Sequence, residues 1–588
     1  MGLSMNIVNQ MVLFSIFALS LNILMGFAGQ ASIAHAAFGA VGGYTAGVLG
    51  ATHHWSFPAA VVVAFILSGV IGVLVSLPAL RLPNEFVILL TLAFAYIVAS
   101  TVISIDALGG QYGLQGLGDI SLFGKKFVSP SEVFILLVVI GVIVFLACWR
   151  LGESSFGRVL KGIREDELAT KALGKHTVGF KVVAFGTTSA VAGLGGALFV
   201  FYYQQVSPQQ WTLNQAIAMI AMVVLGGTGN LIGSVLGAVV ITASTPILEN
   251  VVHINPSRAT FAQMIIYGAA LVLFMMYRPE GILRERHGRL RAAGKGYVEA
   301  SITPLGVGNG GAENQQEWKK LLDRVATTTV QRPAGDGVTA LKVRGLVKHF
   351  GGIKAVNGVD LDLPLGKVTA LIGPNGAGKS TLFGLFTGFI SADQGVIEYR
   401  GQSLRGMRPD QIAKLGVVRS FQDTRLFRQM TALENVMSAV PGQSGESLLS
   451  LYFLPWKVRA SNRSAKAIAL DQLRIVGMDR HANTLCADLA HGEQKLVAIA
   501  RALATGAEVL LLDEPTSGVD EQWMHHVAET IKRLPEIGKT VCIVEHNLAF
   551  LERLQANCYF LESGSVRTHG SLRELMENED LRKAYFAV

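Results

Sequence analysis

The chain has 588 residues, 51% of them hydrophobic and only 16% charged, with a formal net charge of +8. A soluble domain carries roughly 25% charged residues, so the composition excludes both a disordered chain and a wholly soluble one, and roughly 150 residues per domain predicts about three or four domains. Cys148, Cys486, Cys542 and Cys558 lack CxxC spacing, which excludes a disulfide scaffold and a thiolate metal site.

The apolar residues concentrate in the first half. Residues 1–80 contain no Asp, Glu, Lys or Arg. Apolar runs fall at about 6–27, 58–80, 86–105, 131–150, 180–204, 213–227, 230–250 and 261–277, and most reach the roughly 18–20 residues that cross a bilayer as a helix. The stretch 32–52 is Gly- and Ala-rich, holds His35, and predicts a short or re-entrant helix surrounded by protein. The start of the chain has no basic n-region and reads as an uncleaved membrane segment.

Two basic loops set the orientation. Segment 150–181 carries Arg150, Arg158, Lys161, Arg164, Lys171, Lys175 and Lys181, and the stretch after the last run carries Arg278, Arg284, Arg286, Arg289, Arg291 and Lys295. Both are predicted to be cytoplasmic, with an even number of spans between them. The positive charge thus belongs to positive-inside flanks and a lipid environment, which sets a nucleic-acid partner aside. Residues 286–338 lose periodicity and become basic and then Gly-rich, as a linker does.

The second half reads as a soluble α/β protein. Lys367–Ile372 alternates toward a buried strand, and Gly373, Pro374, Asn375, Gly376, Ala377, Gly378, Lys379, Ser380 and Thr381 follow, running into an apolar helix. This is a phosphate-binding P-loop in its strand–loop–helix setting: backbone N–H groups close around phosphates, Lys379 reaches them, and the Ser380 hydroxyl suits Mg²⁺. Downstream, the apolar strand 508–513 ends in Asp513 and Glu514; the first suits Mg²⁺ coordination and the second polarisation of a water.

With these motifs the stretch 341–588 resembles the ATP-binding cassette (ABC) family. The resemblance implies ATP and Mg²⁺ as ligands. It also implies roles for Phe350 against adenine, Gln422 beside Mg²⁺ and water, His546 at the γ-phosphate, and Asp520 in a loop at the dimer interface. The signature motif departs from the family's Leu-Ser-Gly-Gly-Gln: here it is Leu489, Ala490, His491, Gly492, Glu493 and Gln494, so the serine hydroxyl is lost at Ala490. That variant is familiar among amino acid importers. Upstream, Asn22, Gly26, Gly29, Gln30, Ser32, His35, Phe38, Gly43 and Tyr44, the segment Gly157–Gly174, and Gly226–Gly237 resemble permeases that import branched-chain amino acids. The implied coupling helix carries Arg158, Arg164, Glu165 and Glu167.

The expected architecture is therefore multi-domain: a polytopic α-helical membrane permease at 1–285, a linker at 286–338 and an α/β P-loop ABC ATPase at 339–588. The resemblance implies an ATP-driven importer of branched-chain or related hydrophobic amino acids in the cytoplasmic (inner) membrane. Urea, short amides and aromatic acids stand as alternative solutes; an exporter or an ATP-gated regulatory protein stands as a rival. Its implied partners are a second permease and a second ATPase (or a second copy of the chain) and an extracytoplasmic solute-binding protein. The longest expected external loop, 106–130, is too short to serve as a receptor itself.

Overall fold

The computed structural model describes residues 5–80, 82, 84–122, 124–250, scattered positions from 265 to 285, and 338–578. The expected linker, and most of the apolar run 261–277, lie outside the described residues. The chain forms two compact units. One comprises Met1–Arg164 with Thr177–Arg286, the other Glu165–His176 with His287–Val588.

The first unit is helical. Helix Met5–Asn22 continues into a π-turn at Ile23–Phe27, and His35–Gly47 into another at Val48–Thr52. Phe57–Ala79, Asn84–Ser104, Pro130–Gly152, Ser155–Glu165, Thr177–Tyr203, Leu213–Gly226 and Leu231–Asn250 follow. Among the described residues five helices are long and apolar enough to cross a membrane: Met5–Phe27, Phe57–Ala79, Phe86–Ser104, Pro130–Gly152 and Thr177–Tyr203. Helix Leu213–Gly226, expected as a span, has only 14 residues.

Burial on helix Phe57–Ala79 is inverted relative to a soluble bundle. On this helix the buried residues after Phe57 are Ala60, Ala64, Ser68, Gly72, Ser76 and Ala79, one stripe at intervals of three or four, while Val62, Ile66, Val70, Leu74 and Leu77 face outward. Small residues inside and large apolar ones outside suit helices that pack closely within lipid. The segment 35–52 is the extreme case, a Gly- and Ala-rich helix buried among Phe57–Ala79 and Thr177–Tyr203. A Cβ at Gly42 would sit 2.1 Å from the Gly193 carbonyl oxygen, so this crossing admits nothing larger than glycine. Asn22, fully buried, ties the first helix to a later turn: its Nδ2 donates to Ser234 Oγ at 2.6 Å and to the Asn230 carbonyl at 3.0 Å, and its Oδ1 accepts from Gly229 N at 2.8 Å.

The second unit is α/β. A six-stranded sheet runs in the order Val417–Arg419, Val509–Asp513, Thr540–Val544, Val368–Ile372, Asn557–Glu562, Ser565–Ser571, with only the last strand antiparallel to its neighbour. A four-stranded antiparallel sheet, Ile353–Pro364, Thr339–Phe350, Gln394–Tyr399 and Gln402–Ser403, lies beside it in the same unit. The central strands Val509–Asp513 and Thr540–Val544 are buried on both faces, which is why they read as unbroken apolar runs.

Segment 165–176 belongs to this second unit although it lies within the first half of the chain. The expected single docking helix over 158–174 is broken: Ser155–Glu165 ends, Asp166 turns to extended backbone and caps Glu167–Ala172 by accepting from Ala169 N at 2.8 Å. Ala169 and Leu173 join a core that includes Leu426, Phe427 and Met430.

Candidate active site

In open parallel sheets, ligands bind beyond the carboxyl ends of the strands. Four adjacent strands here each deliver chemistry at that end. Val368–Ile372 runs into the P-loop, Val417–Arg419 leads to Gln422, Val509–Asp513 ends on the paired carboxylates, and Thr540–Val544 leads to Glu545 and His546.

The P-loop wraps back onto its own lysine. Lys379 opens helix Lys379–Phe386, is 6% exposed, and its Nζ donates to the carbonyls of Gly373 at 2.7 Å and Pro374 at 2.9 Å. Gly378 has a φ of 99°, and a Cβ there would meet the Ala355 carbonyl oxygen at 2.3 Å, so both conformation and space demand glycine. Ala377 is buried beneath the loop while Asn375, Gly376 and Ser380 are exposed; Thr381 is half-buried in the first helical turn. Exposed N–H groups and a hydroxyl around a buried ammonium form a cradle for an anion. Burial holds the Lys379 ammonium below its ordinary range, an effect that Glu514 and Asp513 oppose.

Glu514 is the focus of the polar contacts. Its φ of 44° is left-handed, a costly conformation for a residue with a Cβ that persists at sites over-determined by their surroundings. Gln422 Nε2 donates to its Oε2 at 2.7 Å, and His546 Nε2 lies 3.4 Å from its Oε1. Lys495, 5% exposed, donates to the backbone carbonyls of Gln422 at 2.8 Å and Glu514 at 3.1 Å, fixing the two segments to each other. Asp513 is 3% exposed and paired with Arg419 at 2.6 Å; that guanidinium also lies over the Phe421 and Phe383 rings. Burial lowers the His546 imidazole, with nearby Lys379 acting in the same direction. Burial pushes Glu545 up to about 7, and repulsion from Glu514 adds to it.

Other expected residues sit apart from this cluster. Phe350 is exposed at the end of strand Thr339–Phe350, with Lys348 Nζ 5.5 Å from its ring centre. Leu489 is buried, and Ala490 caps helix His491–Ala504, its N–H donating to Glu493 Oε2 at 2.8 Å. His491 Nε2 is 3.2 Å from the Ser517 carbonyl, and Gly492 lies under the Trp523 ring. Asp520 Oδ1 caps helix Glu521–Arg533 by accepting from Trp523 N at 2.9 Å.

The four residues expected on the coupling helix divide between the two units. Arg158 is buried and Arg164 pairs with Glu285 at 2.9 Å and donates to the Gly26 carbonyl, all within the helical unit. Lys161 joins the same carboxylate at 2.7 Å; burial opposes the charge on Glu285, but these two cations hold it below the usual carboxylate range. Glu165 accepts from Gln429 N at 3.1 Å within the second unit, and Glu167 pairs with Lys171 on its own helix. The strongest contacts of segment 165–176 went unread in the sequence. Asp166 pairs with Arg425 at 3.2 Å, and Lys175 Nζ meets Glu446 Oε1 at 2.6 Å and the Val440 carbonyl at 2.9 Å. Arg419, Lys495 and Glu545 were missed likewise. Their only sequence signals were adjacency, Lys495 to the signature motif and Glu545 to His546.

A lipid-facing helical bundle and a P-loop sheet with carboxylates at its strand ends define a membrane permease joined to a nucleotide-hydrolysing domain. Residues 3–275 match the family described as Branched-chain amino acid transport system / permease component, and residues 356–517 match ABC transporter. The high-affinity branched-chain amino acid transport ATP-binding protein LivG of Escherichia coli is 37% identical over 246 residues, covering 42% of this chain and 96% of that protein. The corresponding protein BraF of Pseudomonas aeruginosa is 35% identical with the same coverage. A solved nucleotide-free ATP-binding cassette from an ABC transporter is 29% identical, covering 42% of this chain and 99% of that one at a TM-score of 0.37. The chain belongs to the ABC transporter family, in its branched-chain amino acid transport branch, with permease and ATPase fused. Its second unit is an ATP-binding cassette that hydrolyses ATP to drive transport.

Proposed function

We propose that this chain imports branched-chain or related hydrophobic amino acids across the cytoplasmic membrane, with the permease at 1–285, a linker at 286–338 and the ATPase at 339–588. The observation that carries the reading is the match of one chain to both the permease and the ATPase of that transport system. Partners are a second permease and ATPase, or a second copy of the chain, and an extracytoplasmic solute-binding protein.

In hydrolysis, Lys379 and the P-loop N–H groups hold the phosphates and Phe350 takes the adenine. The donor set fits Mg²⁺: Ser380 offers an exposed hydroxyl, Asp513 a carboxylate and Gln422 an amide oxygen. Oxygen ligands in this small number suit a hard ion that retains waters and shares substrate phosphates. When bound, the ion neutralises phosphate charge. Glu514 polarises the attacking water, held in place by Gln422 and His546, and His546 also faces the γ-phosphate. The signature around Ala490, His491, Gly492 and Glu493, with Leu489 and Asp520, caps the nucleotide of a partner ATPase. Nucleotide-dependent closure of two ATPase units is transmitted through segment 158–174.

Uptake of labelled leucine, isoleucine and valine by cells expressing the transporter with its binding protein tests the reading, with urea, short amides and aromatic acids as competitors. Competition by the branched-chain acids alone is expected; transport of urea or amides with no effect of leucine would replace the solute class.

A further inference from the structure

Polar side chains in the core of the helical unit mostly have partners. Ser20 Oγ donates to the Thr188 carbonyl at 2.6 Å, Thr188 Oγ1 to the Ala184 carbonyl, and Asn22 is saturated as described. His35 differs. It is 1% exposed, and neither Nδ1 nor Nε2 has a hydrogen-bond partner among the described residues. A buried imidazole left in this state is destabilising, so a partner from outside the polypeptide is the physical expectation.

The surroundings specify that partner. His35 is the first residue of helix His35–Gly47, whose preceding residue, Ala34, supplies no side-chain cap. The first-turn N–H groups are therefore donors in a buried place, and the Cα–Cβ bond at His35 tilts the imidazole toward that same end. Ser189, on Thr177–Tyr203, is a second buried group with an unpartnered Oγ. Contacts of Gly39 with Gly196, Gly42 with Gly193 and Gly43 with Val200 set the register of these two helices, and extending it by one turn brings Ser189 to the level of His35, with the Ser189 Oγ against Gly72 of Phe57–Ala79. Next to His35 the surroundings turn apolar: Phe38 meets the imidazole edge-on at 6.2 Å, and Phe94 lies tilted against Phe38 at 5.0 Å.

Two donors and an uncapped helix N-terminus favour an anion with acceptor oxygens, and the aromatic pair beside them favours an apolar group attached to it. We propose that His35, Ser189 and the first turn of His35–Gly47 form a subsite within the permease that holds the carboxylate of an amino acid solute, its hydrophobic side chain lying along Phe38 and Phe94. This rests on the import of such solutes proposed above and assigns the residues that recognise them.

The test is equilibrium binding of labelled leucine to the full chain in nanodiscs, alongside uptake by the complete transporter. Leucinamide, which lacks the carboxylate, is expected to compete at least tenfold more weakly than leucine. His35→Ala and Ser189→Ala are each expected to weaken leucine binding about tenfold, with His35→Gln intermediate, while the melting temperature and ATP binding stay at wild-type values. Equal competition by leucinamide, or unchanged leucine binding in both alanine variants, overturns the subsite. If His35→Ala fails to assemble, His35→Gln and the leucinamide comparison decide. A wild-type transporter that takes up no branched-chain amino acid refutes the proposed function instead, whereas uptake of leucine with an indifferent His35 refutes this inference alone.

Discussion

Lys175 gives the sharpest test of how segment 165–176 is held within the second unit. Its ammonium is 5% exposed and meets a Glu446 carboxylate that is 20% exposed, at 2.6 Å, while also satisfying the Val440 carbonyl. Lys175→Met keeps the stem packing but strands the Glu446 carboxylate, whereas the Val440 carbonyl keeps the Gln443 Nε2 donor at 2.9 Å. Removing one partner of a fully buried pair costs roughly 3–5 kcal/mol; residual access of water to Glu446 reduces this to about 2–3 kcal/mol. At about 1.4 kcal/mol per decade, the docked arrangement of segment 165–176 should be some 30- to 150-fold less favoured. Purified transporter in proteoliposomes should then show fewer solutes moved per ATP hydrolysed, with basal hydrolysis retained. Glu446→Gln should show the same defect, and the double variant little more than either single one. Additive effects in that cycle, or an unchanged transport-to-hydrolysis ratio in Lys175→Met, would refute the reasoning.

Glu514→Gln should bind ATP normally yet turn over at least 100-fold more slowly, because Gln422 and His546 would then hold a group that cannot polarise water; near-normal hydrolysis removes Glu514 from that role. Lys379→Ala should instead raise the nucleotide dissociation constant at least tenfold, measured by fluorescent-nucleotide titration. Glu545 titrates at about 7 in the fold, above its unfolded value, so the stability it contributes is full below the ordinary carboxylate range and is lost as pH rises to about 7. Glu545→Gln should therefore melt above wild type at pH 8 and lose that advantage by pH 5 in thermal scans; a pH-independent difference contradicts the assignment. Gly492→Ala places a Cβ 2.4 Å from the Trp523 ring and should cost about 1–3 kcal/mol in urea denaturation of the ATPase unit, so an unaffected midpoint refutes that contact.

The residues legible in the sequence were those whose chemistry is local. Gly373–Thr381 is contiguous, and Asp513 and Glu514 close one apolar strand, so spacing alone disclosed them. Arg419 and Lys495 take their meaning from strand order: Val417–Arg419 lies beside Val509–Asp513 only because the sheet places them together across intervening helices. A lysine one step past the signature motif reads as a surface charge until Gln422 and Glu514 are seen to converge on it. The break at Asp166 was hidden by continuous helix-forming residues on both sides, and only the cap to Ala169 and the ion pair to Arg425 reveal it. The segment at 35–52 was legible as unusual, because glycine in such number has no use on a lipid-facing surface. Its closeness to Thr177–Tyr203 required the partner helix.

The second unit is discontinuous in sequence, and that bears on how the protein is made. Glu165–His176 leaves the ribosome long before the rest of its unit exists, and the carboxylate that neutralises Lys175 is 271 residues downstream. At roughly 5–20 residues per second, the interval is about 15–50 s. Throughout it, Ala169 and Leu173 are exposed without the core that later covers them. The charge-rich flanks Glu165, Asp166, Glu167, Lys171 and Lys175 keep that apolar pair in a hydrated setting while it waits. An ATPase unit expressed from residue 339 onward never receives the segment at all, and would carry Glu446, Arg425 and an uncovered apolar surface in its place.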